Sequence, residues 1–206
     1  MSYVISESDI LIEGKNFEDS LSAHMRHEDG RPYHTFRTAT VLVNGNRVKL
    51  KNCRFANTVG SGKKVGQAIA LYLDGDDIVL EDCVPEGHQD TLFLAPLPPH
   101  EYQKDGFLGP GQFTPRTRRT VYLKNCKISG GVDFIFGGAT AYFDNCEFVS
   151  VEGLCVCTLH TGRRTDGVCC EKLQIYGGRR REKGELLYCE TMAGVCESEI
   201  GAVLSG

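Results

Sequence analysis

One aspartate of this 206-residue chain lies in an apolar run enclosed by glycines, which makes it the first candidate for chemistry. The aspartate is Asp133, and the run is Gly130-Gly131-Val132-Asp133-Phe134-Ile135-Phe136-Gly137. A charge inside a strand-like run of this kind is costly to bury without a partner. Asp133 is therefore either a paired structural carboxylate or a reacting group.

A second acid has a similar setting, next to an amide side chain. The stretch Gly87-His88-Gln89-Asp90-Thr91-Leu92-Phe93 places Asp90 directly after Gln89, at the edge of another strand-like run. Two carboxylates with amide donors nearby can work as a nucleophile and an acid/base. The second acid therefore favours a catalytic pair over an isolated structural aspartate.

A recurring phrase indicates the architecture that would position these acids. Each copy is a short strand of alternating apolar and polar residues that ends in Asn-Cys or Asp-Cys. A short polar side chain at that step can bend the backbone by hydrogen-bonding to it. The copies are Val48-Lys-Leu50-Lys-Asn52-Cys53-Arg-Phe55, Ile78-Val-Leu80-Glu-Asp82-Cys83, Val121-Tyr-Leu123-Lys-Asn125-Cys126-Lys-Ile128 and Ala141-Tyr-Phe143-Asp-Asn145-Cys146-Glu-Phe148, with a weaker one at Asp9-Ile-Leu-Ile-Glu-Gly14.

The spacing of these copies predicts a solenoid. Cys126 and Cys146 are 20 residues apart, about the length of one coil of stacked strands. The longer gaps contain loops, one from Gly60 to Lys64 and a proline- and glycine-rich one from Ala95 to Arg118. We therefore predict an all-β fold, a right-handed parallel β-helix with side loops on one face and no long helix. A sandwich of unrelated strands is the alternative.

Such a solenoid would bring Asp90 and Asp133 together. They are 43 residues apart, and the loop from Ala95 to Arg118 accounts for 24 of these, which leaves about one coil. Neighbouring coils stack about 4.8 Å apart. We expect the two carboxylates to face one groove, within reach of the same substrate.

Composition and charge exclude several classes of protein. The net charge of −4 and the pI near 5.9 give no basic footprint for nucleic acid. No segment reaches the length of a membrane span, and residues 1–10 lack the basic and apolar parts of a signal peptide. A chain of 22.7 kDa fits one domain with a real core. As given, it is expected to be cytoplasmic, whereas an export signal in missing N-terminal sequence would make it extracellular.

The ten cysteines are predicted to be reduced thiols, because the chain is larger than a typical disulfide scaffold and shows no export signal. No pair of CxxC motifs appears, and Cys155-Val-Cys157 and Cys169-Cys170 have the wrong spacing for zinc. We therefore expect no metal and no cofactor.

Four motifs make the chain resemble the pectin methylesterases, carbohydrate esterases on a pectin-lyase-like β-helix that remove methyl groups from methylated polygalacturonate. Each motif is weak alone, but the four occur in the family's order. The resemblance covers about residues 10–152. The matching stretches are Thr35-Phe-Arg-Thr-Ala-Thr-Val41, Gly66-Gln67-Ala68-Ile69-Ala70-Leu71, Gly87 to Leu92, and Val132-Asp133-Phe134-Ile135-Phe136-Gly137.

The resemblance implies a role for each matched polar residue. Asp133 would be the nucleophile that attacks the methyl-ester carbonyl. Asp90 would protonate the departing methanol and then act as the base that activates water. Gln67 and Gln89 would donate hydrogen bonds to the oxyanion, a task that suits neutral amides. Like charges in one groove would keep one carboxyl protonated while the other is ionised.

Three further residues near the two acids have other expected roles. Phe93 and Phe136 are candidates for stacking on sugar rings, although packing is the expected role of at least one of them. His88 is interpreted as a structural or rim residue. The expected partner is pectin, with neither nucleic acid nor membrane involved, and the expected state is a monomer.

Two features depart from the family's pattern. The matching part begins near Ile10, where longer members already have several coils. The family also holds its nucleophile with an Arg from a downstream Gly/Ala-Arg-Pro-Trp phrase, and this chain has neither that phrase nor any Trp. Residues 153–206 hold six cysteines and none of the Asn-Cys phrases. We interpret residues 1–152 as a partial catalytic domain, inactive if the Arg is essential, and residues 153–206 as an aberrant, poorly ordered tail.

A reading-frame change would explain the tail. Met192 is encoded by ATG and Ala193 begins with G, so reading one base later gives TGG, a Trp codon. In that frame the codons of Cys189 to Met192 permit Ala-Arg-Pro directly before it. Likewise Leu154 to Thr158 permit Tyr-Val-x-Ala-Pro, and Val168 to Tyr176 permit a further Cys-Arg-Phe strand phrase. Three family-like matches in order favour a frameshift over a divergent cap.

Two other functions stay open at this stage. A β-helix polyuronate lyase would need several carboxylates for calcium and a basic residue for proton abstraction, and neither is visible near Asp90 or Asp133. A non-catalytic carbohydrate-binding β-helix, or an inactive remnant, is the alternative from another class.

Overall fold

A computed structural model describes residues 2–101, 104–151, 168–171, 173–177 and 200–202, the last three ranges by backbone alone. Its strands are short because each run of alternating apolar and polar residues ends after a few residues in a polar turn. The strands are β1 (Tyr3–Ile5), β2 (Leu11–Glu13), β3 (Asn16–Asp19), β4 (Val41–Val43), β5 (Lys49–Lys51), β6 (Arg54–Asn57), β7 (Leu71–Leu73), β8 (Ile78–Glu81), β9 (Val84–Glu86), β10 (Leu92–Leu94), β11 (Thr120–Lys124), β12 (Lys127–Gly130), β13 (Ile135–Gly137), β14 (Thr140–Asp144), β15 (Glu147–Ser150), β16 (Val168–Glu171), β17 (Leu173–Gly177) and β18 (Ile200–Ala202).

Every third strand pairs in parallel, so the chain winds as a parallel β-helix. Sheet A contains β1, β4, β7, β10 and β13 in that order. Sheet B contains β2, β5, β8, β11, β14 and β16, and sheet C contains β3, β6, β9, β12, β15, β17 and β18. From β1 to β15 the described strands make five coils of three strands each. The predicted β-helix is confirmed.

The recurring Asn-Cys and Asp-Cys steps form the turn between sheets B and C. Asn52, Asp82, Asn125 and Asn145 all have φ between 50° and 54°, the left-handed region that Asn and Asp tolerate best. Their side chains bond along the stack, since Asn145 Nδ2 donates to Asn125 Oδ1 at 2.8 Å and Asn125 Nδ2 to Asp82 Oδ1 at 3.2 Å. In these two pairs the side chains therefore tie consecutive coils together.

The interior is filled by columns of like residues. In sheet B, Leu50, Leu80, Leu123 and Phe143 occupy one strand position on four consecutive coils, and each is at most 2% exposed. The four cysteines of the repeats are buried free thiols, as predicted for them. Because successive coils repeat the same inward positions, each coil buries its apolar face against its neighbours.

A second apolar cluster lies on the outer face of sheet A. Its buried members are Ala39, Leu42, Ile69, Tyr72, Phe93, Ala95, Leu97 and Phe107. The loop from Ala95 to Arg118 supplies Phe107, and Arg116 lies over that ring at 5.7 Å from its centroid. Arg116 also donates to the carbonyls of Pro98, Gly111 and Gln112 within this loop. The loop therefore forms an ordered cover without strands in its described part.

The structure bears on one predicted loop and on the predicted tail. The loop predicted from Gly60 to Lys64 contains one helical turn, α1 (Gly62–Val65), because Val65 N and Gly66 N bond back to Ser61 and Gly62. In the predicted tail, the backbone of β16 continues sheet B and that of β17 continues sheet C. Most of residues 153–206, including the codon positions of the frame hypothesis near Met192, lie outside the described residues. The division at residue 152 stays a prediction.

Within the described residues, none of the helices is both long and apolar enough to traverse a membrane.

Candidate active site

The two acids lie at equivalent positions of consecutive coils. Strand β10 pairs with β13 so that Leu92 faces Ile135, and Asp90 and Asp133 each precede these residues by two. The amide of Asp90 donates to the carbonyl of Val132 at 3.1 Å, which extends the pairing into the turns before both strands. The predicted juxtaposition of the two acids is therefore present in the backbone.

Burial and charge act together on Asp90. Asp90 is only 7% exposed to solvent, whereas Asp133 is half-buried. Burial raises the pKa of Asp90 well above its ordinary value, and the nearby Asp133 carboxylate raises it further. A hydrogen bond from the Gln89 side chain opposes these two effects on the Asp90 pKa. The site thus favours a protonated carboxyl next to a more accessible one.

Gln89 is held against both Asp90 and the loop before β7. Its side chain bonds to Asp90. A Cβ built on Gly62 would lie 2.3 Å from Gln89 Oε1 and 2.5 Å from Gln89 Cβ, so only a glycine leaves room for this amide. The first turn of α1 therefore forms a wall of the pocket for Gln89.

Gln67 lies at the equivalent turn of the preceding coil, between β6 and β7. The amide of Ala68, which follows it, donates to the Gln89 carbonyl at 3.1 Å. On its other side the carbonyl of Gln67 accepts from Ala23 N at 2.9 Å, and His24 packs against Gly66. The turns between sheets C and A of three consecutive coils thus carry the candidate residues. They hold Gln67, the Gln89-Asp90 pair and Asp133, in that order.

The two predicted sugar-stacking residues differ in access. Phe93 is 1% exposed beneath the outer cluster, so its surroundings are those of a packing residue and not of a sugar platform. Phe136 is half-buried with its ring centroid 4.8 Å from that of Phe93. Phe36 is also half-buried, 4.9 Å from Phe93. The accessible aromatic edge of the groove is therefore formed by Phe136 and Phe36.

Sequence reasoning assigned no role to Phe36 or Tyr72. Phe36 belongs to a motif that had been recognised, but a single sequence does not show which outer face a loop will cover. Tyr72 could have been found from the register, because Tyr72, Phe93 and Phe136 occupy one outward position on β7, β10 and β13.

His88, predicted as a structural or rim residue, is half-buried, and its carbonyl accepts from Gly131 N.

The arrangement provides acid/base and electrostatic chemistry from side chains alone. Two carboxyls in one groove with unequal burial can divide the roles of acid and nucleophile. Two neutral amides beside them can stabilise a developing oxyanion without adding a charge. Among the described residues, no group of three or more His, Cys, Asp or Glu could hold a metal ion.

Comparison with known proteins finds a family that resembles the N-terminal half of the chain. The sequence profile described as Pectinesterase matches residues 5–98, which include Gln67, Gln89 and Asp90.

Residues 5–98 of this chain are similar to the pectinesterases.

Two pectinesterase relatives show how far the similarity extends. Pectinesterase/pectinesterase inhibitor PPE8B of Prunus persica is 38% identical over 120 residues, which are 58% of this chain and 18% of that protein. The pectinesterase of Petunia integrifolia is 35% identical over 115 residues, 56% of this chain and 24% of that protein. The chain therefore spans less than a quarter of the length of these two relatives.

Solved pectinesterase structures share the fold. A pectin methylesterase crystallised in complex with a hexasaccharide superposes with a TM-score of 0.67 at 20% identity, covering 86% of this chain and 54% of that one. This likeness supports the β-helix assignment. Asp133 lies beyond the profile match, so the β10–β13 register is what places it beside Asp90.

Proposed function

We propose that this chain hydrolyses the methyl esters of methylated polygalacturonate. The observation that carries the proposal is the pair of acids on consecutive coils, with Asp90 buried and Asp133 half-buried in the same groove. The similarity of residues 5–98 to the pectinesterases and the hexasaccharide bound to a structurally similar pectin methylesterase support a polymeric sugar substrate.

The reaction begins with Asp133. Its ionised carboxylate attacks the ester carbonyl carbon and forms a tetrahedral intermediate with a negative oxygen. The amide N–H groups of Gln67 and Gln89 donate to that oxygen and stabilise it before the methoxy group leaves. Because the Gln89 side chain hydrogen-bonds to Asp90, its amide is held next to this carboxyl.

Asp90 completes the two halves of the reaction. Its raised pKa keeps it protonated, so it gives its proton to the departing methoxy oxygen and methanol is released. The acyl group is then an anhydride with Asp133. The Asp90 carboxylate takes a proton from water, which attacks the acyl carbon, and the free galacturonate carboxyl and the Asp133 carboxylate are restored.

The substrate would lie across the coils, along the aromatic edge. Phe136 and Phe36 present half-buried ring surface next to the acid-bearing turns, and flat aromatic faces suit the apolar faces of sugar rings. Both rings pack against the buried ring of Phe93, which holds them in position. All the proposed residues come from one chain, and we therefore propose that the enzyme works as a monomer.

The sequence lacks the family's Arg-Pro-Trp phrase, so we propose that this chain is a weak enzyme compared with a frame-restored version. A guanidinium beside Asp133 would stabilise its ionised form and hold it in place.

The deciding experiment is methanol release from highly methylated pectin, measured for the present chain and for the frame-restored version. Release that is lost in Asp133→Asn and strongly reduced in Asp90→Asn supports the proposal. A calcium-dependent unsaturated product would indicate a lyase, and binding to pectin without methanol release in both proteins would indicate a carbohydrate-binding module.

A further inference from the structure

Two glycine-rich turns carry the acids and contact each other. The first turn is residues 87–91, between β9 and β10, and contains Asp90. The second turn is residues 129–133, from the end of β12 to the start of the segment before β13, and contains Asp133. Their backbones are joined by Gly87 N to Ser129 O at 3.1 Å and by Asp90 N to Val132 O at 3.1 Å.

Thr91 supplies a side-chain hydrogen bond across the same junction. It is fully buried, and its Oγ1 donates to the carbonyl of Ser129 at 3.1 Å. The same hydroxyl lies 3.5 Å from the carbonyl of His88 in its own turn. Thr91 therefore touches both turns through one hydroxyl, immediately after Asp90.

Glycines enclose this hydroxyl on both sides. A Cβ built on Gly130 would lie 2.6 Å from Thr91 Oγ1, and one built on Gly87 would lie 2.9 Å from it. Both distances are shorter than real side-chain contacts, so the two turns come together around the hydroxyl only because these positions lack side chains. The glycines and the hydroxyl form one close-packed joint.

We propose that the Thr91 hydroxyl is a positioning group that holds the turns of Asp90 and Asp133 at a fixed separation. The inference rests on the proposed function, because it gives the separation of the two acids a catalytic meaning. Thr91 itself is not assigned to touch the substrate. It acts through Asp90, its direct neighbour in the chain.

Removal of the Thr91 hydroxyl should lower the pKa of Asp90. Asp90 lies within the first turn, directly before Thr91, so a movement of this turn moves its carboxyl group. If the joint loosens, Asp90 gains solvent and moves away from the Asp133 carboxylate. Burial and the Asp133 charge are the two causes that raise the Asp90 pKa, so both changes lower it.

Thr91→Val tests this without leaving a buried carbonyl unpaired. Ser129 O keeps its bond from Gly87 N, and His88 O keeps its bond from Gly131 N. Thr91→Ser restores the hydroxyl. The matched control is Thr140→Val, because Thr140 is 2% exposed and its Oγ1 has no hydrogen-bond partner among the described residues.

The first readout needs no catalysis. The full chain is labelled with carboxyl-¹³C aspartate, and the Asp90 signal, assigned with Asp90→Asn, is titrated by NMR. We expect Thr91→Val to lower the Asp90 pKa by about one unit, and Thr91→Ser and Thr140→Val to leave it within a few tenths. An Asp90 titration in Thr91→Val that matches the unmodified chain overturns the inference, as does an equal shift in Thr140→Val.

The second readout separates this inference from the proposed function. On methylated pectin, the full chain with Thr91→Val should lose about tenfold or more in kcat with little change in KM, and Thr91→Ser should recover it. If methanol release is absent, or survives Asp133→Asn, the proposed function fails, while the NMR titration still decides whether Thr91 sets the Asp90 environment.

Discussion

Asp90 and Asp133 share a left-handed backbone conformation, with φ of 66° and 49°, at equivalent positions of consecutive coils. Few L-residues adopt this conformation at low cost, and Asn and Asp are the main exceptions among non-glycine residues. An Asn replacement at either position can therefore keep the backbone while it removes the ionisable carboxyl. This makes Asn a cleaner test of function than Ala.

Asp133→Asn should abolish methanol release, because an amide cannot attack the ester as a carboxylate does. Asp90→Asn should reduce kcat by about 10²- to 10⁴-fold, the usual contribution of a general acid/base. Initial rates on methylated pectin measure both.

Asp77→Asn is the matched control for these substitutions. Asp77 is an exposed aspartate with φ of 54° outside the groove, and its replacement should leave the rate unchanged. Full activity in Asp133→Asn, or an equal loss in Asp77→Asn, would contradict the assigned roles.

The raised pKa of Asp90 predicts a stability change with pH. The folded protein retains the Asp90 proton to higher pH than the unfolded chain does, so Asp90 makes the free energy of unfolding fall as pH rises from about 4 through the raised pKa. Asp90→Asn removes this contribution. Thermal unfolding from pH 4 to 8 should show the melting temperature of the variant rising relative to the unmodified chain as pH increases.

The pH-rate profile gives an independent view of the same group. Catalysis needs Asp90 protonated in the first step, so kcat should fall as pH rises through its pKa. A parallel pH dependence of stability in the two proteins, or a kcat without an alkaline decline, would count against a protonated Asp90.

Tyr72→Phe should stabilise the fold. Tyr72 is fully buried, and its hydroxyl has no hydrogen-bond partner among the described residues. Removal of an unpaired buried hydroxyl should raise the free energy of unfolding by about 1 kcal/mol. Urea denaturation measures the change, with Tyr142→Phe as the control because Tyr142 is 39% exposed. Destabilisation of Tyr72→Phe alone would show that the hydroxyl has a favourable interaction.

Gly111→Ala provides a second test of the same contact. A Cβ at Gly111 would lie 1.9 Å from the Tyr72 hydroxyl oxygen, so overpacking should cost about 1–3 kcal/mol. Tyr72→Phe in the same chain should recover part of that loss, because it removes the atom that collides. Additive effects of the two substitutions in denaturation experiments would contradict the contact.

Restoring the reading frame downstream of Glu152 should increase activity. Resequencing of the gene comes first, and codons near Met192 that cannot encode Arg-Pro-Trp in the displaced frame would end the hypothesis. If they can, the frame-restored protein should release methanol faster than the present chain, because it regains a guanidinium for Asp133. An Ala in place of the restored Arg should remove the gain.

The sequence predicted the coil and the acid pair because both depend on local repeats. Asn125-Cys126 and Asn145-Cys146 mark the same turn one coil apart, and this spacing also brings Asp90 beside Asp133. The role of Phe93 could not be read in this way. Its burial depends on Phe36 and Phe107, which come from loops whose path no repeat specifies.

The Thr91 joint was likewise beyond sequence reasoning. Gly87 and Gly130 are visible in the sequence, but their reason is a contact between turns that are 43 residues apart. Only the stacked coils show that one hydroxyl occupies the space that both glycines leave.

The parallel register tolerates a change of length in a loop but not in a strand. The 24 residues from Ala95 to Arg118 follow the C-terminal end of β10, whereas Asp90 and Asp133 precede the N-terminal ends of β10 and β13. A single residue inserted between Thr91 and Phe93 would reverse the inward and outward sides of β10. The length of the loop can therefore change without altering the spacing of the two carboxylates, whereas the length of β10 cannot change without moving its side chains to the other face.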